Sequence, residues 1–128
     1  MRNLATFAVL AVLAGATAAA AQSYVAGPRG CDFIDGYGPT GPHYTVDDDH
    51  FVMTDTSLET IEYFCEFERP FGYLFGAAEV KIRAGYCMEP GPFIEPGVFT
   101  LHSRGDGTVR LDFSGWSDPL VLVDCAAG

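Results

Sequence analysis

Four cysteines carry the clearest chemical signal in this sequence: Cys31, Cys65, Cys87 and Cys125. Their number is even, and no two have the spacing of a Cys-x-x-Cys pair, which is typical of zinc-binding and redox sites. We therefore expect two disulfides. Of the three possible pairings we favour Cys65 with Cys87, which joins two consecutive strands, and Cys31 with Cys125, which ties an N-terminal arm to the last strand.

The other chemically active residues do not form a recognised site. His43, His50 and His102 lie on separate predicted strands without the spacing of metal ligands. The tract Asp47-Asp48-Asp49-His50 is acidic, but contiguous aspartates in a tight turn point apart, whereas a calcium loop places its ligands at alternate positions. No nucleophile elbow, zinc-protease motif or phosphate-binding loop is present. We predict no catalytic residue, no metal site and no cofactor.

The segment MEPGPFIEPG, residues 88–97, is a candidate binding surface. Two Glu-Pro-Gly triplets flank Phe93 and Ile94, so the segment is expected to be a stiff, extended loop. A stiff loop with an apolar tip loses little entropy when it binds a partner. The alternative is that both side chains plug the core. The candidate binding surface comprises Phe93, Ile94 and Trp116.

A second aromatic segment, FGYLFG, occupies residues 71–76. Its rings, Phe71, Tyr73 and Phe75, occur at every second position. They could cover the core or form an exposed interaction patch. We predict that the three rings are buried in the core. The neighbouring strands have an apolar face, and in so short a chain this segment is the nearest one that can cover it.

The N-terminus, MRNLATFAVLAVLAGATAAAAQ, predicts a cleaved secretory signal peptide over residues 1–21. Arg2 precedes an apolar run that is too short to span a bilayer, and small residues follow it. Ala16 stands where a lipoprotein signal would carry its lipidated cysteine, so no membrane anchor is expected. A periplasmic or secreted protein is consistent with two disulfides.

The rest of the chain predicts a β-protein. The glycine and proline density of residues 22–42 excludes helix and regular strand, so this segment is interpreted as an arm, and residues 43–128 as one β-domain. Seven runs in that domain have strand character: 43–46, 50–55, 60–67, 77–87, 97–104, 108–115 and 120–125. The predicted fold is all-β, a small antiparallel sandwich or barrel of about six to seven strands stapled by two disulfides.

Turn residues and alternation predict two hairpins and several strand faces. The hairpin turns are Val46–His50 and Arg104–Gly107; the second spells Arg-Gly-Asp, but Gly-Asp-Gly suits a turn for conformational reasons alone. The run 120–125 is apolar on both faces over its first four residues and is expected to be a central strand or one that closes the core. The inward positions of the predicted strands are Ile61, Tyr63, Cys65 and Phe67; Ala78, Val80, Ile82, Ala84 and Tyr86; and Val109, Leu111 and Phe113. This parity turns Cys87 outward, so its disulfide would require a bulge at Gly85.

The net charge of the chain limits the classes of partner that it is expected to bind. The chain has 17 acidic and 7 basic residues and a net charge of −10. Nucleic-acid binding is disfavoured because it requires clustered basic side chains. An acidic surface steers a protein toward a basic partner. We expect a monomeric, non-catalytic binding or inhibitory module whose partner is a basic protein or a cell-envelope component. The alternative is a small hydrolase that uses carboxylates in a cleft.

In size and class the chain is similar to periplasmic lysozyme inhibitors, and Ser114-Gly115 resembles their serine-glycine loop. Phe113 and Trp116-Ser117-Asp118-Pro119 do not reproduce the motif of those inhibitors. No site residue is taken from the resemblance.

Overall fold

The computed structural model describes residues 23–38, 41–72 and 78–125. Within these ranges the chain forms one 3-10 helix, Gly30–Phe33, and ten strands. The strands are β1 (Tyr24–Ala26), β2 (Asp35–Gly38), β3 (Gly41–His43), β4 (Phe51–Met53), β5 (Ser57–Thr60), β6 (Tyr63–Phe67), β7 (Ala78–Met88), β8 (Ile94–Arg104), β9 (Thr108–Phe113) and β10 (Leu120–Asp124).

Eight of these strands close into an antiparallel barrel, in the order β1-β10-β9-β8-β7-β6-β5-β4, with β4 pairing back to β1. Strands β2 and β3 form a separate two-stranded ribbon. The prediction of an all-β antiparallel fold is confirmed, with a strand count slightly above the predicted six to seven.

Both predicted disulfides are confirmed. Cys65 on β6 and Cys87 on β7 are register partners and are bonded to each other. Cys31, in the 3-10 helix, is bonded to Cys125, directly after β10. Two disulfides indicate an oxidising compartment, extracellular or periplasmic.

The described residues contain no helix that is long and apolar enough to cross a membrane.

The barrel interior is filled by side chains that alternate along the strands, as expected for a small barrel. Phe99 lies at its centre, with ring centroids 4.9 Å from Phe67 and 4.6 Å from Phe113. The predicted inward face of β9 is confirmed, because Val109, Leu111 and Phe113 are all buried. The Arg104–Gly107 turn is also confirmed as the connection of β8 to β9.

Phe71 belongs to the core, as predicted for its segment. It is 2% exposed, and its ring meets that of Phe67 edge to face at 4.6 Å. Its backbone N–H donates a hydrogen bond of 2.8 Å to the carbonyl of Asp55, so it lies where the β4–β5 and β6–β7 connections meet. Phe71 therefore covers one end of the barrel. Tyr73 and Phe75 lie outside the described residues.

The prediction that residues 22–42 exclude helix and regular strand is wrong for the described part of that segment. Tyr24–Ala26 is a barrel strand, because three residues suffice when both neighbouring strands are already in place. The outward-facing Val25 and Val52 are buried under Phe33 and Ile34 from the 3-10 helix and the residue after it. The arm thus supplies a strand and a cover for the outer face of β1 and β4.

Two predicted strand boundaries are also wrong. Of the run 43–46 only His43 is in a strand, and residues 46–50 do not join a hairpin, since β4 pairs with β1 and β5. Instead the Asp47 carboxylate accepts hydrogen bonds from the backbone N–H groups of Asp49 and His50 and fixes a local turn. The run 60–67 is divided by a turn at residues 61–62 into β5 and β6.

The predicted parity of β7 is reversed in the structure. Val80 and Ile82 face outward, each 57% exposed, whereas Lys81 and Arg83 share the side of Cys87. The Lys81 ammonium donates to the carbonyl of Phe71 at 2.7 Å, and the Arg83 guanidinium lies 5.4 Å from the Phe71 ring centroid. These contacts hold the basic side chains beside the Phe71 cover instead of in the core.

No bulge is needed at Gly85, because the register from Cys65–Cys87 to Phe67–Gly85 is continuous. A Cβ atom at Gly85 would lie 2.2 Å from the Glu66 carbonyl oxygen. The glycine therefore permits close packing of β6 on β7.

As predicted, the run 120–125 has a partner on each side and closes the barrel, because β10 pairs with β9 and with β1, although only one of its faces is buried. Leu122 is buried, but Val121 and Val123 are 53% and 44% exposed. A barrel has one layer, so its outward positions face solvent unless another segment covers them.

Candidate functional site

The end of the barrel opposite Phe71 holds a cleft of about 490 Å³. We call this cleft the mouth; it is lined by Phe51, Tyr63, Glu89, Glu95 and residues 115–120. Its position follows from strand alternation. Tyr63 lies two positions before the buried Cys65, and Glu95 lies four before the buried Phe99, so both point along the barrel interior toward its open end.

Trp116 forms one wall of the mouth. Its Nε1–H donates a hydrogen bond of 2.8 Å to the Tyr63 hydroxyl, and its ring packs edge to face on Phe113 with centroids 5.6 Å apart. Its backbone N–H donates to the carbonyl of Phe113 at 2.9 Å. The indole is thus fixed in place by contacts with β6 and β9.

The carboxylate of Glu95 is seated against the turn after β9. A Cβ atom at Gly115 would lie 2.3 Å from Glu95 Oε1, so glycine at this position leaves room for the carboxylate. The same turn is tied to β8, because the Ser114 backbone N–H donates to the Val98 carbonyl and the Ser114 hydroxyl accepts from the Val98 N–H, both at 3.0 Å. These contacts hold Glu95 and Trp116 in the same cleft.

The charges that line the mouth are negative. Among the described residues that line it, the charged side chains are all acidic: Glu89, Glu95 and Asp118. Burial raises the pKa of the Tyr63 hydroxyl, and the charges of Glu95 and Glu89 raise it further, although the hydrogen bond from Trp116 acts in the opposite direction. The neutral hydroxyl is therefore the favoured form of Tyr63, because burial and the neighbouring carboxylates both disfavour a further negative charge.

The structure brings the three residues of the predicted binding surface to this end of the barrel. Phe93 and Ile94 are 67% and 64% exposed, so the alternative that they plug the core is wrong. They line a second depression of about 230 Å³. Trp116 lines the mouth. The second depression and the mouth share three lining residues, which are Tyr63, Glu89 and Glu95. The two depressions form one continuous surface.

His50 and Asp47, from the acidic tract, do not line the mouth and instead contact each other. His50 is 4% exposed and stacks on Phe33 with centroids 3.9 Å apart. Its Nδ1 lies 3.0 Å from Asp47 Oδ1. In the part of the chain that the structure describes, no three His, Cys, Asp or Glu side chains are grouped so that they could hold a metal ion.

Sequence reasoning missed Tyr63, Glu89, Glu95 and Asp118 as parts of the site. The available signal was alternation, since Glu95 continues the inward series of Phe99 and Leu101 and places a carboxylate at the end of a dry face.

Chemically, the mouth combines exposed carboxylates with fixed aromatic rings, an arrangement suited to a cationic ligand. Comparisons of the chain with protein-family models, with curated proteins and with solved structures find no match.

Proposed function

We propose that this chain is a small, exported, monomeric and non-catalytic binding module that holds a basic protein at the mouth and at the neighbouring Phe93 and Ile94. It acts in the periplasm or outside the cell. The observation that carries the proposal is the sharing of Tyr63, Glu89 and Glu95 between the mouth and the depression beside the two exposed apolar side chains.

Each part of this surface has a role in binding. Large exposed apolar side chains such as Phe93 act as anchors when a partner covers them, and aromatic residues dominate interface energies. The carboxylates around them attract a positively charged partner and increase its rate of association. The fixed position of Trp116 lowers the entropy that is lost when the partner binds.

The test measures binding of the purified protein to two basic proteins, cytochrome c and lysozyme, at low and high salt by calorimetry. We expect binding of at least one at low salt, weaker at high salt. The double variant Phe93→Ser with Ile94→Ser should weaken it about tenfold or more, because it removes the apolar anchors. Val121→Ser with Val123→Ser is the matched control, since those side chains are also exposed but lie on β10. Binding that is absent at low salt, or unchanged in the Phe93/Ile94 variant, would contradict the proposal.

A small hydrolase is the second candidate, because the mouth brings Glu89, Glu95 and Asp118 to one cleft. In that reaction one carboxylate would take a proton from water while a second side chain, in its protonated carboxylic acid form, donates a proton to the leaving group. The test is hydrolysis of peptidoglycan and of ester and peptide substrates. Turnover by the unmodified protein that disappears in Glu95→Gln, with basic-protein binding retained, would favour the enzyme over the module.

A further inference from the structure

We propose that the mouth accepts an arginine side chain of the partner, with its guanidinium against the Trp116 ring and paired with the carboxylates of Glu89 and Glu95. This inference rests on the proposed function and names the chemical group that the mouth recognises.

The charge of the ligand follows from the lining of the mouth. In the part of the chain that the structure describes, the charged residues that line the mouth are Glu89, Glu95 and Asp118, and none of the described lining residues is a lysine or an arginine. A cation entering the cleft would relieve the repulsion among the carboxylates.

The shape of the ligand follows from the aromatic walls. The Trp116 Nε1–H is already used in its hydrogen bond to Tyr63, so the indole offers a ligand its ring surface and no further donor. A cation over an aromatic face is attracted by the ring electrons, and tryptophan is the best side chain for this contact. The contacts with Phe113 and Tyr63 hold the ring in position before a ligand arrives.

Guanidinium fits these walls better than ammonium. It is planar and weakly hydrated, so it can stack on a ring while its edge donates to carboxylates in a forked geometry. An ammonium is compact and strongly hydrated, so it loses more solvation when it enters a cleft with apolar walls such as Phe51 and Leu120. We therefore expect arginine to bind more tightly than lysine.

The intrinsic fluorescence of the protein provides a direct measurement, because Trp116 is its single tryptophan. The probes are three acetylated and amidated peptides, Gly-Arg-Gly, Gly-Lys-Gly and Gly-citrulline-Gly, titrated at low salt. Citrulline keeps the shape of arginine but lacks its charge. We expect a saturable change in Trp116 emission with the arginine peptide and binding about two- to fivefold weaker with the lysine peptide. The citrulline peptide should give no saturable change.

Two charge variants locate the binding. Glu95→Gln and Glu89→Gln should each weaken binding of the arginine peptide by about two- to fivefold, the range for partly exposed ion pairs. Glu79→Gln is the matched control, because Glu79 pairs with Ser103 near the other end of the β7–β8 hairpin. Equal binding of the citrulline peptide, or equal weakening by Glu79→Gln, would overturn the inference.

Failure of this inference differs from failure of the proposed function. If cytochrome c or lysozyme binds through Phe93 and Ile94 but Glu95→Gln has no effect on the arginine peptide, the arginine inference is wrong and the module stands. If the arginine peptide binds as expected but neither protein binds, the inference is supported and the proposed partner class is wrong.

Discussion

At the scale of single residues, His50 connects three parts of the chain. Its Nδ1 lies 3.0 Å from the Asp47 carboxylate, and its Nε2 accepts a hydrogen bond of 3.4 Å from the Arg29 backbone N–H. Its ring stacks on Phe33. Because Nε2 accepts, the proton of the neutral ring is on Nδ1 and faces Asp47. His50 thus fixes the turn before β4 against the 3-10 helix.

Asp47 makes this contact dependent on pH. Partial desolvation would raise the pKa of its carboxyl group, but hydrogen bonds from the His50 side chain and from the backbone of His50 and Asp49 outweigh it and lower the pKa below its usual 3.8. A carboxyl group with a lowered folded pKa stabilises the fold above its unfolded pKa, and this contribution is lost as pH falls through the folded value.

We therefore expect Asp47→Asn to unfold at lower urea concentration than the unmodified protein near neutral pH. The difference should shrink as pH falls below about 4, where the unfolded state becomes protonated first, and should disappear below the lower folded pKa, where the carboxyl group is protonated in both states. Urea unfolding at a series of pH values measures this. Asp48→Asn, at the neighbouring exposed position, is the control and should show a smaller difference at neutral pH. A constant difference at every pH would contradict the assignment.

Individual residues also show what sequence could predict about the candidate site. Phe93 and Ile94 stood out because prolines and glycines lie on both sides of them. The predicted loop over residues 88–97 is wrong in its bounds, because β7 extends to Met88 and β8 begins at Ile94. Glu95 and Tyr63 did not stand out, because each is one member of an alternating strand. Their role depends on where the barrel ends, which depends on the register of strands that are distant in sequence.

At the scale of elements, the long β7–β8 hairpin extends beyond its pairing with β6. Residues 64–67 of β6 pair with residues 85–88 of β7, whereas β8 pairs with the whole of β7 from Ala78 to Met88. In the first half of β7, the outward side chains Val80 and Ile82 face solvent. This half is held by its pairing with β8 and by the contacts of Lys81 and Arg83 with residues 70–71.

Substitutions on the outward and inward faces of this hairpin should differ in how much they change the free energy of unfolding. Ile82→Ser should change the free energy of unfolding by less than about 0.5 kcal/mol, as for an exposed position. Leu101→Ala, at a side chain 1% exposed on the partner strand, should cost about 2 to 5 kcal/mol. Urea unfolding of both variants measures the two effects. A large loss for Ile82→Ser would show that the apolar face of β7 is inward after all.

The reversed parity of β7 shows the limit of alternation as evidence. Val80 and Ile82 alternate with Lys81 and Arg83, so composition alone favours the apolar face as the buried one. The structure reverses this because the basic side chains donate to backbone carbonyls of the preceding segment, at Phe71 and Pro70. On β9 no such competition exists, and the apolar face was predicted correctly. The disulfides were predictable since cysteine number and strand order left few pairings.

At the scale of the whole molecule, the two disulfides stabilise different parts of the fold. Cys65–Cys87 spans a sequence separation of 22 residues inside the core, and Cys31–Cys125 spans 94 and joins the 3-10 helix to the last strand. The longer loop restricts the unfolded chain more. It also holds Phe33 and Ile34 over Val25 and Val52.

The double variant Cys31→Ser with Cys125→Ser should therefore lose about 5 kcal/mol of unfolding free energy in the chain-entropy model. Urea unfolding measures the loss. Hydrogen exchange in the same variant should rise first at the amides of β1 and stay slow in β8 and β9, because β1 loses the segment that covers it. A loss below about 1 kcal/mol, with unchanged exchange in β1, would contradict this.

The position of β1 between β4 and β10 also constrains the order of events during folding. Tyr24 pairs with Met53 on one side and with Asp124 on the other. The first strand of the described barrel therefore gains its second neighbour only when the last described strand has joined. Until then the partly folded chain exposes two unpaired strand edges, which are prone to join with other chains. Contacts between such distant residues are slow to form, so the barrel closes late and as a unit.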